Sequence, residues 1–223
     1  MDPIQVLIVD DHTMVRMGLQ LCLKNYPEIT VVDEATGGKE ALQKIEVNQP
    51  DVILMDLIMP EMDGVEVIRE INTRWPAVKV IALTSFTEEK HITAAMDAGA
   101  SGYLLKDVEP PALVAAIKDT YRGEVPLHPQ AARVLLESWR HATAASSSSI
   151  SANTSPLTKR EMDVLHLLGQ GKTNRAIAEE LVIAEKTVKA HVSSILNKFD
   201  AGNRWQAVRR ARQLGLLPPL SSS

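Results

Sequence analysis

The chain has 223 residues, 45% hydrophobic and 23% charged, the make-up expected of a soluble globular protein with room for two domains. Its longest apolar runs are four to six residues, far short of the roughly 20 that a membrane helix needs. The net charge of −4 is divided unevenly: residues 156–223 hold 11 basic and 6 acidic side chains, leaving 13 and 22 in residues 1–155, so only the basic back half is expected to meet a polyanion.

The opening MDPIQV carries an acid and a proline where a signal peptide would have basic and apolar residues, so a cytoplasmic protein without membrane contact is expected. Cys22 is the sole cysteine, which excludes an intrachain disulfide. Flanked by Leu19, Leu21 and Leu23 in a helical pattern, it reads as a small buried hydrophobe.

Short apolar runs fall at residues 6–9, 29–32, 52–55, 78–83 and 102–105. They are rich in Val, Ile and Leu without alternation, as parallel strands covered on both faces should be. Amphipathic stretches follow each run, at residues 14–23, 39–46, 65–73, 88–98 and 110–121. Five strand–helix repeats predict a doubly wound α/β domain over residues 1–124. A further helix is expected over 129–142, within a connecting segment 125–155 that ends in the Ser-rich stretch ATAASSSSISANTS, read as a flexible linker. Residues 156–217 show only helical periodicity and predict a small all-α domain, with 218–223 a frayed tail.

In an open α/β sheet, ligands bind beyond the carboxyl ends of the strands. There the chain places Asp10 and Asp11, Asp56, Thr84 and Lys106. Any one aspartate after a strand serves equally well as a helix cap, but five such groups at matched ends form a constellation. Three carboxylates together suit a hard divalent cation, while an ammonium and a hydroxyl suit a phosphoryl group. Asp56, first beyond its strand, is the best-placed nucleophile for forming an acyl phosphate. Pro60 and Gly64 are expected to shape the loop around it, the glycine by relieving a turn.

The motifs LIVDDH, LMDLIMPEMDG, ALTSF and GYLLKD resemble the receiver domain of two-component response regulators, over about residues 4–122. The resemblance implies a flavodoxin-like (βα)5 fold. It implies Mg²⁺ (or Mn²⁺) held by Asp10, Asp11, Asp56 and the backbone carbonyl of Ile58, with Asp56 phosphorylated by a cognate histidine kinase. Thr84 and Lys106 would bind the phosphoryl oxygens, and Tyr103 would be the switch aromatic. The expected role is that of a phospho-acceptor with at most slow self-dephosphorylation, not an enzyme. Many receivers have proline after the lysine; here Asp107 follows, which leaves the 106–107 peptide conformation open. The kinase is expected to dock near residues 12–23.

In the basic domain, Thr158 with Glu161 three residues on is a capping box opening one helix, which Gly169 and Gly171 end. A second helix over 173–181 and a tight connection at 182–184 lead into a third, basic helix over 185–199, the layout of a helix-turn-helix reader of double-stranded DNA. Val188, Val192, Ile195, Leu196 and Phe199 would face the core. Lys186, Lys189, Ala190, Ser193 and Asn197 form the opposite stripe, and Lys172, Thr173, Asn174, Lys186 and Lys198 are expected phosphate contacts. An ordinary solvated face of a helical bundle is the plainer alternative.

The segment 157–199 resembles the LuxR-type helix-turn-helix of NarL/FixJ regulators. By that resemblance 185–198 is the recognition helix, with Thr187 among the DNA-binding residues and Lys189, Ala190 and Ser193 at the base-contacting positions. A fourth helix over 205–214 with Asn203, Arg204 and Trp205 would form the dimer surface, the active form being a homodimer with RNA polymerase among candidate partners. His166 and His191 have no partner at metal-ligand spacing and read as packing or surface residues. A rival class, an aspartyl-phosphate phosphohydrolase, expects a second aspartate two residues beyond the nucleophile, where this chain has Ile58. A receiver acting without DNA is a second rival.

Overall fold

The structure is a computed structural model and describes residues 2–85, 88–145 and 157–218. Contacts divide the chain into two compact units, residues 1–132 and 133–223. In chain order the first part of the sequence forms β1 Ile4–Val9, α1 Thr13–Leu23, β2 Ile29–Ala35, α2 Gly38–Val47, β3 Val52–Met55, α3 Gly64–Arg74, β4 Lys79–Thr84, α4 Glu89–Ala98, β5 Gly102–Leu105 and α5 Pro110–Tyr121. Then come α6 Pro129–Ala145, α7 Lys159–Gly169, α8 Asn174–Leu181, α9 Glu185–Lys198 and α10 Arg204–Gln213.

The five strands make one parallel sheet in the order β2-β1-β3-β4-β5. All four residues of β3 are buried, which explains a run with no polar alternation. Val6, Ile8, Val52, Leu54, Ile81 and Leu83 pack one face against Leu113 and Ile117 of α5. Helices α2, α3 and α4 pack in sequence. β2 runs three residues past its expected end, through Asp33 and Glu34, because an edge strand can turn polar side chains to water.

α1 departs from the amphipathic reading. It buries Arg16 and leaves Met14 78%, Met17 57% and Leu21 70% exposed. Cys22 is half-buried against the core, and burial raises its thiol pKa.

The outer edge of β5 is closed by the segment leading to α6. Tyr103 donates its N–H to the Pro126 carbonyl at 3.0 Å and accepts from the His128 N–H at 2.8 Å. Gly102 permits this approach, since a Cβ there would fall 3.1 Å from Pro126 Cγ and from its carbonyl oxygen. α6 runs three residues into the expected linker, to Ala145; residues 146–156 and 219–223, which include the rest of that linker and most of the expected tail, lie outside the described residues.

In the second unit, α7, α8, α9 and α10 enclose a core of Val164, Leu165, Ile177, Val188, Ile195 and Val208. The expected capping box is present: Thr158 accepts from the Glu161 N–H at 3.2 Å and Glu161 accepts from the Thr158 N–H at 2.7 Å. Gly171 takes the left-handed conformation (φ 79°) just beyond α7, where a side chain would be strained. Three arginines of α10 donate to backbone carbonyls of neighbouring segments. Arg212 donates to the Gly169 carbonyl at 2.8 Å, Arg204 to that of Lys172, and Arg210 to those of Phe199 and Asp200. Helix ends carry orphan carbonyls and partial negative charge, so part of this half's positive charge serves the fold. Among the described residues no helix is long and apolar enough to cross a membrane.

Candidate functional site

Asp10 and Asp56 stand just beyond β1 and β3, adjacent strands at the point where the strand order reverses. The ladder continues past them: Asp56 donates its N–H to the Val9 carbonyl at 2.9 Å, and Lys106 its N–H to the Thr84 carbonyl at 2.9 Å. The backbone therefore carries all the expected strand-end groups to one rim. Asp10 and Asp56 are 2% and 5% exposed, and Thr84 is fully buried.

Lys106 bridges the two aspartates. Its Nζ lies 2.6 Å from Asp10 Oδ2 and 2.7 Å from Asp56 Oδ2. Burial works against the ammonium, but the hydrogen bonds to Asp10 and Asp56 outweigh it and hold the Lys106 pKa above the ordinary lysine value. Asp10, Asp11, His12 and Asp56 each bring a ligand atom within 4.8 Å of the others. His12 was not foreseen as a member; its Nδ1 is 2.8 Å from Asp11 Oδ1. Its place directly after the two acids was the signal available in the sequence.

The loop after Asp56 corrects one expectation. The residue with positive φ is Glu61 (φ 69°), not Gly64, which opens α3. Gly64 is required by crowding instead: a Cβ there would fall 2.5 Å from the Asp56 carbonyl oxygen and 2.7 Å from Leu57 Cα. Asp63 caps α3, accepting from the Val65 N–H at 2.9 Å. Ile58, 44% exposed, donates its N–H to Asp56 Oδ1 at 3.2 Å.

Tyr103 is fully buried in this structure. Burial pushes its phenol up to about 12, and the Asp56 charge adds to that. The 106–107 peptide is trans, there being no cis peptide among the described residues. Arg16, also unforeseen, is buried and donates to the Asp10 carbonyl at 2.8 Å and to Glu34 Oε2 at 3.0 Å.

In the second unit, α9 exposes Lys186, Thr187, Ala190, Ser193 and Asn197, with Lys189 partly exposed, while Val188, Val192 and Ile195 are buried. The expected reading stripe is thus on the surface. The expected phosphate contacts are less uniform. Thr173 is exposed and caps α8, accepting from the Ala176 N–H at 3.2 Å. Lys172 is paired with Glu180. Asn174 is 1% exposed, so it cannot meet a phosphate in this conformation. Lys198 is held inward, 2.7 Å from Glu161 Oε2.

Two of the three residues expected at the dimer surface are buried. Asn203 is 4% exposed and spends its side chain capping α10, accepting from the Gln206 N–H at 2.8 Å. Trp205 is 7% exposed, so the apolar ring is already covered within its own unit. Of the three, only Arg204 retains partial exposure. His166 is exposed with Nδ1 2.9 Å from the Met162 carbonyl oxygen, and His191 is half-buried.

Comparison with known proteins agrees with this arrangement. Residues 6–118 match the response regulator receiver domain, and residues 155–211 match the bacterial regulatory proteins of the luxR family. The chain is 40% identical over 215 residues to the transcriptional regulatory protein DegU of Brevibacillus brevis, covering 92% of this chain and 91% of that protein. It is 42% identical over 207 residues to the transcriptional regulatory protein LiaR of Bacillus subtilis strain 168, covering 92% and 94%. Among solved structures, the response regulator ChrA of a heme-sensing two-component system is 36% identical with a TM-score of 0.53, covering 97% of this chain and all of that one. The RcsB–DNA complex, 23% identical with a TM-score of 0.56 over 96% of this chain and 99% of that one, shares the fold. The chain therefore belongs to the response regulators of two-component systems, with a receiver domain ahead of a LuxR-type regulatory domain.

Proposed function

We propose that the chain is a phosphorylation-controlled transcription regulator of the cytoplasm in which Asp56 accepts a phosphoryl group from the phosphohistidine of a cognate kinase. The observation that carries this reading is the Lys106 ammonium bridging Asp10 and Asp56 at 2.6 and 2.7 Å. A buried carboxylate beside a fixed cation is a preorganised site for a reaction that moves negative charge. An Asp56 carboxylate oxygen attacks phosphorus, the donor's P–N bond breaks, the electron pair leaves with the imidazole, and an acyl phosphate remains. Lys106 and the Thr84 hydroxyl would then hold phosphoryl oxygens.

Three carboxylates and one ammonium leave two negative charges, which one divalent cation balances. Asp10, Asp11 and Asp56 bring together carboxylate oxygens of the kind Mg²⁺ or Mn²⁺ takes, and the Ile58 carbonyl would complete the set. Such a cation would supply neutralisation of phosphoryl charge. The chain's role is that of an acceptor that releases phosphate slowly, not a catalyst with many turnovers.

Phosphorylation is read as shifting a two-state equilibrium in which Tyr103 and Thr84 take part, the active state pairing two chains on a two-fold DNA site. Lys189, Ala190 and Ser193 are assigned to base edges, with Lys172, Thr173, Lys186 and Thr187 around them; RcsB, a more distant relative, has been solved with DNA. RNA polymerase is a further proposed partner. Asp56→Asn should abolish acid-labile phosphate incorporation from acetyl phosphate and Mg²⁺; equal incorporation in that variant would refute the assignment.

A further inference from the structure

Glu161 is 4% exposed and belongs to two structures at once. Within α7 it closes the capping box. Its two oxygens also reach α9, where Ser194 Oγ donates to Oε1 at 2.6 Å and Lys198 Nζ donates to Oε2 at 2.7 Å. A capping box needs only the Thr158 backbone, so two further donors on the reading helix call for a separate explanation.

Ser194 and Lys198 are four residues apart, hence on one side of α9. Ser194 follows Ser193, which puts this side roughly 100° around the helix from the reading stripe. Among the described residues, α9 also packs Val188, Val192, Ile195 and Leu196 into the apolar core. Apolar packing is non-directional and resists rotation weakly, whereas charge-assisted hydrogen bonds are directional. A roll of about 15° on a helix of about 5–6 Å radius moves a side-chain tip by roughly 1.5 Å. Hydrogen-bond distances span only about 0.5 Å, so that roll would break a contact with a base edge.

We propose that Glu161 is a positioning residue for DNA reading: its carboxylate fixes the roll of α9 through Ser194 and Lys198, and Lys198 serves this clamp instead of a phosphate. The inference rests on α9 being the DNA-reading helix. It adds to that reading a residue on another helix, outside any surface that could touch DNA.

The test uses the full chain, a duplex recovered by selection from a random pool, and a scrambled duplex, with binding followed against salt. The variants are Glu161→Gln, Lys198→Met and the pair together. The clamp predicts that Glu161→Gln loses about tenfold in affinity for the selected duplex and little for the scrambled one. It also predicts that the double variant is no worse than the worse single one, and that Lys198→Met leaves the slope of log K against log salt as in wild type. A role confined to stability would lower the unfolding midpoint and leave the ratio between duplexes intact, which would overturn the proposal. A slope reduced by about one in Lys198→Met, with both duplexes weakened alike, would mark Lys198 as a phosphate contact and also overturn it. Should Glu161→Gln fail to fold, Ser194→Ala removes one arm and must itself lower the ratio. If wild type binds no duplex, the DNA reading and the clamp fall together; if wild type binds and Lys189→Glu does not, the DNA reading stands and the ratio alone decides the clamp.

Discussion

The guanidinium of Arg16 holds the backbone carbonyl of Asp10 at 2.8 Å while its Nε holds Glu34 Oε2 at 3.0 Å, so a buried cation fastens the start of the acid cluster to strand β2. A third donor reaches Thr13 Oγ1 at 3.4 Å. Arg16→Met keeps the length and removes every donor, leaving a buried carbonyl and a half-buried carboxylate without their partner. The expected cost is about 2–3 kcal/mol, read as a lower urea midpoint. Arg16→Lys should recover part of it, because one ammonium cannot serve two acceptors set at a fork's spacing. Phosphate incorporation at Asp56 from acetyl phosphate should fall in the same order, Arg16→Met below Arg16→Lys below wild type.

Gly64 and Gly18 predict opposite outcomes for one substitution. At Gly64 the atoms facing an added methyl are the backbone of Asp56 and Leu57, which cannot swing aside. Gly64→Ala should therefore cost about 1–3 kcal/mol and displace the acceptor, with at least a tenfold loss in phosphorylation rate. At Gly18, within α1, nothing lies within 4 Å of a built Cβ. Gly18→Ala should stabilise by about 0.5–1 kcal/mol through helix propensity and a smaller unfolded ensemble. Thermal melts of the two variants, side by side, check both signs.

The acid cluster was legible in the sequence because each member sits beside an apolar run whose end the local pattern marks. Parallel pairing then carries Asp10, Asp56, Thr84 and Lys106 to one edge whatever the loops do. Residues whose meaning depends on a distant partner were not legible. Arg16 meets Glu34 18 positions away, and Glu161 meets Lys198 37 positions away. Periodicity assigns a residue to a helical face but does not say which neighbour covers that face. For that reason Asn174 and Trp205 read as surface groups although both are buried.

Val182, 88% exposed, ends α8 in the left-handed conformation (φ 52°). A β-branched residue there places Cβ against its own carbonyl oxygen at a cost of about 1–2 kcal/mol, and an exposed isopropyl group recovers little of it by burial. Val182→Gly and Val182→Asn should both raise the melting temperature of the C-terminal unit, glycine less than the steric relief alone because it adds unfolded-state entropy. A lower melting temperature in both would mean that the valine makes a stabilising contact, in this chain or between chains.

Glu161 also sets how the C-terminal unit responds to acid. Burial tends to raise its pKa, but Lys198, Ser194 and the Thr158 backbone outweigh that and bring it from 4.5 to about 2. A carboxylate with a lower pKa folded than unfolded adds stability that is full above the unfolded value and fades as pH falls through the folded one. The window is therefore pH 4.5 down to about 2. Glu161→Gln should lower stability by about 2–3 kcal/mol at pH 7, and the gap to wild type should close as pH drops across the window. Urea unfolding followed by Trp205 fluorescence, with Trp75 and Trp139 replaced by Phe, reads this directly. Parallel curves for wild type and variant between pH 5 and 2 would mean that the charge on Glu161 contributes nothing to holding α7 and α9 together.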